Sequence, residues 1–338
     1  MSILVAGGAG YIGSHTVVEL LEKGYDPVIV DDLSNSKIEV LDRIETITGK
    51  RPKFYEINIL DKDKVEEVFK KENITSVIHF AGFKAVGESV LKPLMYYNNN
   101  LNTTINLLEL MMKYNVNNLV FSSSATVYGD PKVLPLTEEC EVGGVTNPYG
   151  RTKYMIEEIL KDVAHVNPNL NIAILRYFNP IGAHPSGLIG EDPNDIPNNL
   201  MPYITQVAIG KREMLGVFGN DYNTVDGTGV RDYIHVVDLA KGHLAALTKL
   251  ETNSGLVIYN LGTGKGTSVL EMVKAFESAN NMKVPYKIMN RRPGDVDACF
   301  ADCSKANKEL GWFANKNVKE ACKDSWKFQY INPNGYSK

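Results

Sequence analysis

The chain has 338 residues, 43% hydrophobic and 22% charged. That ordinary globular balance excludes a largely disordered protein and leaves room for two packed lobes. Lys and Arg total 36 against 40 Asp and Glu, a net charge of −4, which excludes a general nucleic-acid binder but not a small phosphorylated ligand gripped by a few arginines.

In chain order, residues 3–5 are a short apolar run closed by glycines. Residues 11–23 carry helical spacing (Ile12, Val17, Leu20, Leu21) and stop at Gly24, a C-cap position. Further strand-like runs lie at 28–30, 54–57, 77–80, 119–122 and 172–175. Helical stretches at 37–48, 61–72, 94–114 and 148–166 separate them. Apolar strands alternating with amphipathic helices predict βαβ units in a doubly wound parallel α/β sheet of the Rossmann type. Past Arg176 the texture changes. Residues 177–198 are rich in proline, asparagine and glycine and lack periodicity, as functional loops do. The remainder mixes short helices (199–210, 235–249, 268–279) with short strands (214–218, 257–261). The expected organisation is a dinucleotide-binding lobe over 1–176 and a smaller mixed α/β substrate lobe over 177–338. The strands near 215 and 258 are candidates to return to the main sheet.

Cys140, Cys299, Cys303 and Cys322 form no CxxC pair, which predicts no zinc site, no disulfide framework and a reducing compartment. No apolar run reaches the length of a membrane span, and no basic segment precedes residues 3–5. The expectation is a soluble cytoplasmic protein that holds no metal.

The chemistry begins at Gly7-Gly8-Ala9-Gly10-Tyr11-Ile12-Gly13, between the first strand and the first helix. Glycines at 7, 10 and 13 permit a tight turn and bring backbone amides and the positive end of a helix to a pyrophosphate. The motif's placement in a strand–turn–helix makes it a strong dinucleotide signal. Asp31 ends the second strand, where a carboxylate accepts from ribose hydroxyls. No arginine follows through Ser36, so NAD is favoured over NADP. Ser122-Ser123-Ser124 ends the fifth strand, the edge where such sheets bind ligands. Asn147 suits a helix N-cap and Pro148 its first position. Tyr149 and Lys153 then fall one turn apart on one helical face. A phenol is a poor base at its free pKa of about 10. A nearby ammonium and a nicotinamide cation favour the phenolate, and lowering the pKa by about 3 units takes roughly 4 kcal/mol. A Ser124 hydroxyl suits holding the substrate oxygen in line.

Together with residues 79–89, 122–129, 147–153, 176–185, 196–203, 227–238 and 292–295, these motifs resemble the extended short-chain dehydrogenase/reductases. Within them the chain is most similar to the UDP-glucose 4-epimerase family, over essentially its whole length. The resemblance implies a resident NAD, interconversion of UDP-glucose and UDP-galactose through a 4-keto sugar, and a homodimer built on helices 94–114 and 148–166. Residue by residue, it implies that Tyr11 and Ile12 lie in the pyrophosphate turn. Asp31, Asn35 and Ser36 hold the adenosine half, and Asn58 and Ile59 lie beside adenine. Phe80, Ala81, Gly82, Lys84 and Asn99 line the cofactor. Tyr149 is the acid/base, Lys153 holds the nicotinamide ribose, Ser124 orients the sugar 4-oxygen, and Phe178 lies near the nicotinamide. Asn179, Asn199 and Leu200 line the sugar nucleotide, Phe218 packs near uracil, Arg231 and Arg292 hold the diphosphate, and Asp295 holds the uridine ribose. Guanidinium forks suit a pyrophosphate on physical grounds too.

Two positions depart from the family pattern. Asn58 stands where an Asp is common, and its amide oxygen can accept from the adenine amino group. Position 299, a tyrosine in some relatives, is Cys299, whose small side chain predicts room for N-acetylated UDP-hexoses. The alternatives are a sugar-nucleotide 4,6-dehydratase and a non-catalytic NAD-binding sensor. A dehydratase needs an acid and a base beside the strand-end hydroxyl, but Ala125 and Thr126 follow Ser124. A sensor has no use for Ser124, Tyr149 and Lys153 together. His79 and His15 are expected to be structural. Tyr96-Tyr97 and Met111-Met112 are expected to be helix core or subunit contact.

Overall fold

The computed structural model describes residues 1–194, 197, 199–292 and 294–336; Ile196 and Pro293, both in segments that carry the resemblance, lie outside the described residues. The strands are β1 (Ser2–Ala6), β2 (Asp26–Asp31), β3 (Lys53–Glu56), β4 (Ile74–His79), β5 (Asn118–Ser122), β6 (Asn171–Tyr177), β7 (Asn179–Ile181), β8 (Leu215–Phe218), β9 (Val230–His235), β10 (Leu256–Leu261), β11 (Gly266–Ser268), β12 (Tyr286–Met289) and β13 (Ala298–Cys299). The helices are α1 (Tyr11–Glu22), α2 (Glu39–Thr48), α3 (Lys62–Glu72), α4 (Val86–Leu91), α5 (Pro93–Lys113), α6 (Pro148–Val166), α7 (Leu200–Ala208), α8 (Val236–Leu250), α9 (Val269–Asn280), α10 (Ser304–Leu310) and α11 (Val318–Ile331).

Seven strands form the main sheet in the order β10-β6-β5-β4-β1-β2-β3, with every neighbouring pair parallel. The middles of its central strands are apolar because helices cover both faces: Ile3, Leu4, Val5, Val28, Ile29, Val30, Val77 and Ile78 are all fully buried. One face packs on α1, α2 and α8, and the other on α3, α5 and α6. The order reverses beside β1, whose neighbours are β2 and β4. The crevice at the carboxyl ends of β1 and β4 is therefore the ligand-binding switch point of the fold.

The segment near 258 joins this sheet as β10, beside β6. The segment near 215 does not. It forms β8, which pairs only with the exposed strand β12 in a separate two-stranded sheet. Residues 177–198 are also not entirely loop, since Asn179–Ile181 pairs with β9. A third sheet joins β11, β9 and β13, with β7 on β9. It packs with α7, α9 and α11 around a second core containing Ile204, Val217, Met272 and Phe276.

Candidate active site

Local sequence builds each side of the crevice. β1 runs out at Ala6, whose carbonyl accepts from the N–H groups of Phe80 (2.8 Å) and Ala81 (3.0 Å) at the end of β4, bringing the two loops together. A side chain at Gly13 would meet the carbonyl oxygen of Gly7, so the turn closes only on glycine. The N-cap of α1 is Gly10; no side chain caps it and its first turn holds no acid. Its leading N–H groups thus face the crevice uncommitted, which is what a pyrophosphate needs.

A cavity of about 380 Å³ opens here. Of the residues expected at the cofactor, Gly7, Gly10, Tyr11, Ile12, Gly13, Asp31, Asn35, Ser36, Asn58, Ile59, Phe80, Ala81, Gly82, Lys84, Asn99, Tyr149 and Lys153 line it, whereas Ser124 and Phe178 do not. Asp31, not the exposed Asp32, is the inward carboxylate. It accepts from Ala9 N–H (3.0 Å), Leu33 N–H (3.0 Å) and the Ser36 hydroxyl (2.8 Å). Two oxygens carry about four acceptor sites, so one remains for a ribose hydroxyl. Burial raises its carboxyl above the ordinary value. Lys37, the first cation after Asp31, is paired with Asp192 at 2.7 Å and so is not free for a 2′-phosphate. Asn58 donates to Asp32 (2.8 Å), and its amide oxygen already accepts from Leu60 N–H (2.9 Å), leaving one lone pair for adenine.

At the other end of the cavity stands α6. Asn147 caps it by accepting from Gly150 N–H at 2.9 Å, and Pro148 begins it. Tyr149 and Lys153 are both buried on one face. Ser124 acts on the Tyr149 phenol by lowering its pKa, while its hydroxyl accepts from the Thr126 N–H at 3.2 Å from outside the cavity wall. The Lys153 ammonium, expected to favour the phenolate, is engaged by the end of β5. It donates to the Ser122 carbonyl at 2.7 Å and sits 4.9 Å over the Phe121 ring. Burial dominates instead: it raises the Tyr149 pKa, helped by Tyr177, and Ser124 opposes the rise only in part. Burial also lowers Lys153 to about 8, with Glu157 resisting.

The residues expected at the substrate gather in the second lobe. The Arg292 guanidinium stacks over Phe218 (4.9 Å) and bonds Asp295 (3.0 Å). Arg231 also faces Asp295, at 3.9 Å, and donates to the carbonyls of Val230 (2.8 Å) and Val296 (2.9 Å). Cys299 lies opposite Arg231 across the β13–β9 pair and touches the apolar cluster that holds Phe178, Val127 and Tyr128. Burial pushes its thiol up to about 11. Asn179 opens β7, Leu200 opens α7, and Asn199 precedes it with its amide donated to Glu191 at 2.6 Å. None of these substrate residues lines the cofactor cavity.

Several cavity residues were missed by sequence reasoning, notably Glu191, Tyr96, Tyr177 and Tyr336. Glu191 pairs with Lys84 at 3.7 Å, and burial raises its carboxyl. Its only signal is an acidic pair set in a glycine- and proline-rich stretch. His79 and His15 are structural, as expected. Both are buried, on Thr104 (3.0 Å) and the Tyr11 carbonyl (2.7 Å) respectively. Among the described residues, no cluster of ligating side chains could hold a metal ion, and no helix is long and apolar enough to cross a membrane.

The family model described as GDP-mannose 4,6 dehydratase matches residues 4–325. UDP-glucose 4-epimerases of Dictyostelium discoideum and Haemophilus influenzae are each 62% identical over 99% of this chain, covering 97% and 99% of their own lengths. The chain belongs to the UDP-glucose 4-epimerase family. A solved member of that family, from Bifidobacterium longum in complex with NAD+ and UDP, superposes with a TM-score of 0.96 at 55% identity, over 99% of this chain and 100% of that one. The broader model carries a dehydratase description, but the family's hydroxyl position, Ser124, is followed here by the short 3-10 turn Ala125–Tyr128, which contains no carboxylate.

Proposed function

We propose that this chain interconverts UDP-glucose and UDP-galactose with NAD as resident cofactor, using Tyr149 as the proton-transfer group. The observation that carries the reading is the buried Tyr149, with Lys153 on the same helix, lining one cavity together with the glycine turn and Asp31. The donor set fits NAD: an uncapped α1 N-terminus for the pyrophosphate, Asp31 for the adenosine ribose, and Lys153 at the far end. When bound, NAD supplies a two-electron acceptor and donor for sugar C4 and a cationic ring whose charge offsets the burial that raises Tyr149. Tyr149 takes the 4-hydroxyl proton while Ser124 holds the same oxygen, giving a 4-keto sugar. Tyr149 returns the proton after the ketone has presented its opposite face.

The hexose must turn, so binding energy belongs on UDP. Arg231, Arg292, Asp295 and Phe218 meet that requirement as one cluster remote from Tyr149 in sequence. The small Cys299 supports a wider range, with UDP-N-acetylglucosamine and UDP-N-acetylgalactosamine as a second pair. A homodimer is supported by α5 and α6, which pack together and expose Ile105, Met112, Met155 and Val166. A stable monomer in sedimentation at micromolar concentration rejects it. Four unpaired thiols support a reducing, cytoplasmic location.

The test is incubation with UDP-galactose and separation of the products. UDP-glucose formed without added reductant supports the epimerase, a released 4-keto product favours dehydration, and no turnover favours a sensor.

A further inference from the structure

Loop 190–194 roofs the cofactor cavity. Gly190, Glu191, Asp192 and Pro193 line the cavity on one side, facing the adenosine-side residues Ser34, Asn35 and Ser36 on the other. Two sets of bonds hold the roof. In the first set, Lys37 pairs with Asp192 at 2.7 Å, and Asn194 bonds the Asn35 amide oxygen (3.3 Å) and the Ser34 carbonyl (3.2 Å). The segment after α11 makes the second set, with Tyr336 itself lining the cavity. The Tyr336 hydroxyl donates to the Gly190 carbonyl (3.0 Å) and accepts from its N–H (3.0 Å), and Tyr336 N–H donates to Asp192 at 2.8 Å.

This second contact is built rather than incidental. Tyr336 is 5% exposed and packs edge-on against Phe328 at 5.6 Å. Asn332 ties the same segment to the Gly187 carbonyl at 2.9 Å. Gly335 has φ +75° and lies so close to the Asp192 carboxylate that any side chain there would collide with it. A single oxygen, Oδ2 of Asp192, takes both Lys37 and the Tyr336 N–H. The two sets of restraints therefore converge on one residue.

We propose that Asp192 and Tyr336 form a lock that retains the dinucleotide by holding loop 190–194 closed across the adenosine end of the cavity. The inference rests on the reading of that cavity as an NAD site. Release requires the loop to lift, which breaks the Tyr336–Gly190 bonds and the Lys37–Asp192 pair. The lock therefore sets the dissociation rate, while Tyr149 and Lys153 at the opposite end set the chemistry.

The test loads purified protein with NAD, exposes it to charcoal for timed intervals, and measures the dinucleotide still bound after acid release. Tyr336→Phe keeps the ring but removes both hydroxyl bonds to Gly190, and Lys37→Met removes the charged pair. Each variant is expected to lose NAD at least about tenfold faster than the parent, since two neutral hydrogen bonds, or one that involves a charge, account for about that factor. With saturating NAD added, Lys37→Met is expected to turn over within about twofold of the parent. Release at the parental rate from both variants overturns the lock, as does a turnover loss in Lys37→Met that saturating NAD does not restore. A parent that binds no NAD refutes the cofactor reading itself.

Discussion

Glu157→Leu removes one half of a fully buried ion pair beneath the site. Glu157 lies on α6 one turn beyond Lys153 and two beyond Tyr149, and all three are buried. Its carboxylate accepts from the Ser123 hydroxyl (2.6 Å), from Arg176 Nε (3.1 and 3.2 Å) and from Arg176 Nη2 (2.6 Å). Arg176, 2% exposed in β6, also donates to Tyr128 and stacks on its ring. Stranding a buried guanidinium costs about 3–5 kcal/mol. In a chain this long, each kcal/mol shifts the midpoint by roughly 2 °C, so a fall of about 6–10 °C is expected. Replacing both partners, Glu157→Leu with Arg176→Met, removes the stranded charge and should recover part of the loss, though not the Tyr128 contact. Ser123 adjoins Ser124, so kcat should fall about tenfold while the substrate KM stays near the parental value. Thermal melts of the parent, both single variants and the double variant, with kinetics on each, check this. A midpoint within about 2 °C of the parent in both single variants, or a double variant as unstable as the sum of the singles, refutes the reasoning.

Tyr149→Phe keeps the ring and should lower turnover at least about 100-fold with NAD binding intact; near-parental turnover removes Tyr149 from its role. Lys153 has a folded pKa of about 8 against an ordinary 10.5. Its burial cost is thus fully borne below pH 8 and relieved as pH rises from there toward 10.5. Turnover should fall through about pH 8 as the ammonium is lost. Lys153→Arg, which does not titrate there, should show no such limb in its residual activity, and a limb of equal position in both assigns it elsewhere. Cys299→Tyr should retain the plain hexoses and lose the N-acetylated pair. The space argument fails if the parent ignores the acetylated sugars or the variant handles them equally well.

The first half of the fold was legible because βαβ units write their period into the sequence. β1 is apolar from Ile3 to Ala6, and α6 carries its cap, its proline and its Tyr-Lys spacing within seven residues. In the second half α7, α8, α9, β8 and β10 were legible, while β9, β11, β12, β13 and α11 were hidden. β9 carries Arg231, Asp232 and His235 in a six-residue strand, and α11 buries Ala321, Cys322 and Ser325 alongside Phe328, which blunts its apolar stripe. The glycine turn and Asp31 were readable because their geometry is local. The Glu157–Arg176 pair and the Tyr336–Gly190 contact were not, because only the folded chain brings those residues together. The placement of the Lys153 ammonium was hidden for the same reason. Spacing puts Lys153 on the face of Tyr149, but the direction of the ammonium is set by the Ser122 carbonyl on a different element.

The central claim is that C4 is oxidised and reduced by one cofactor that never leaves, with Tyr149 moving only the proton on oxygen. UDP-galactose labelled with deuterium on C4 tests it most directly. The UDP-glucose formed in ordinary water should keep the deuterium on C4, with none appearing in solvent and no need for added reductant. Loss of the label to water, or incorporation of solvent hydrogen at C4, would contradict the account.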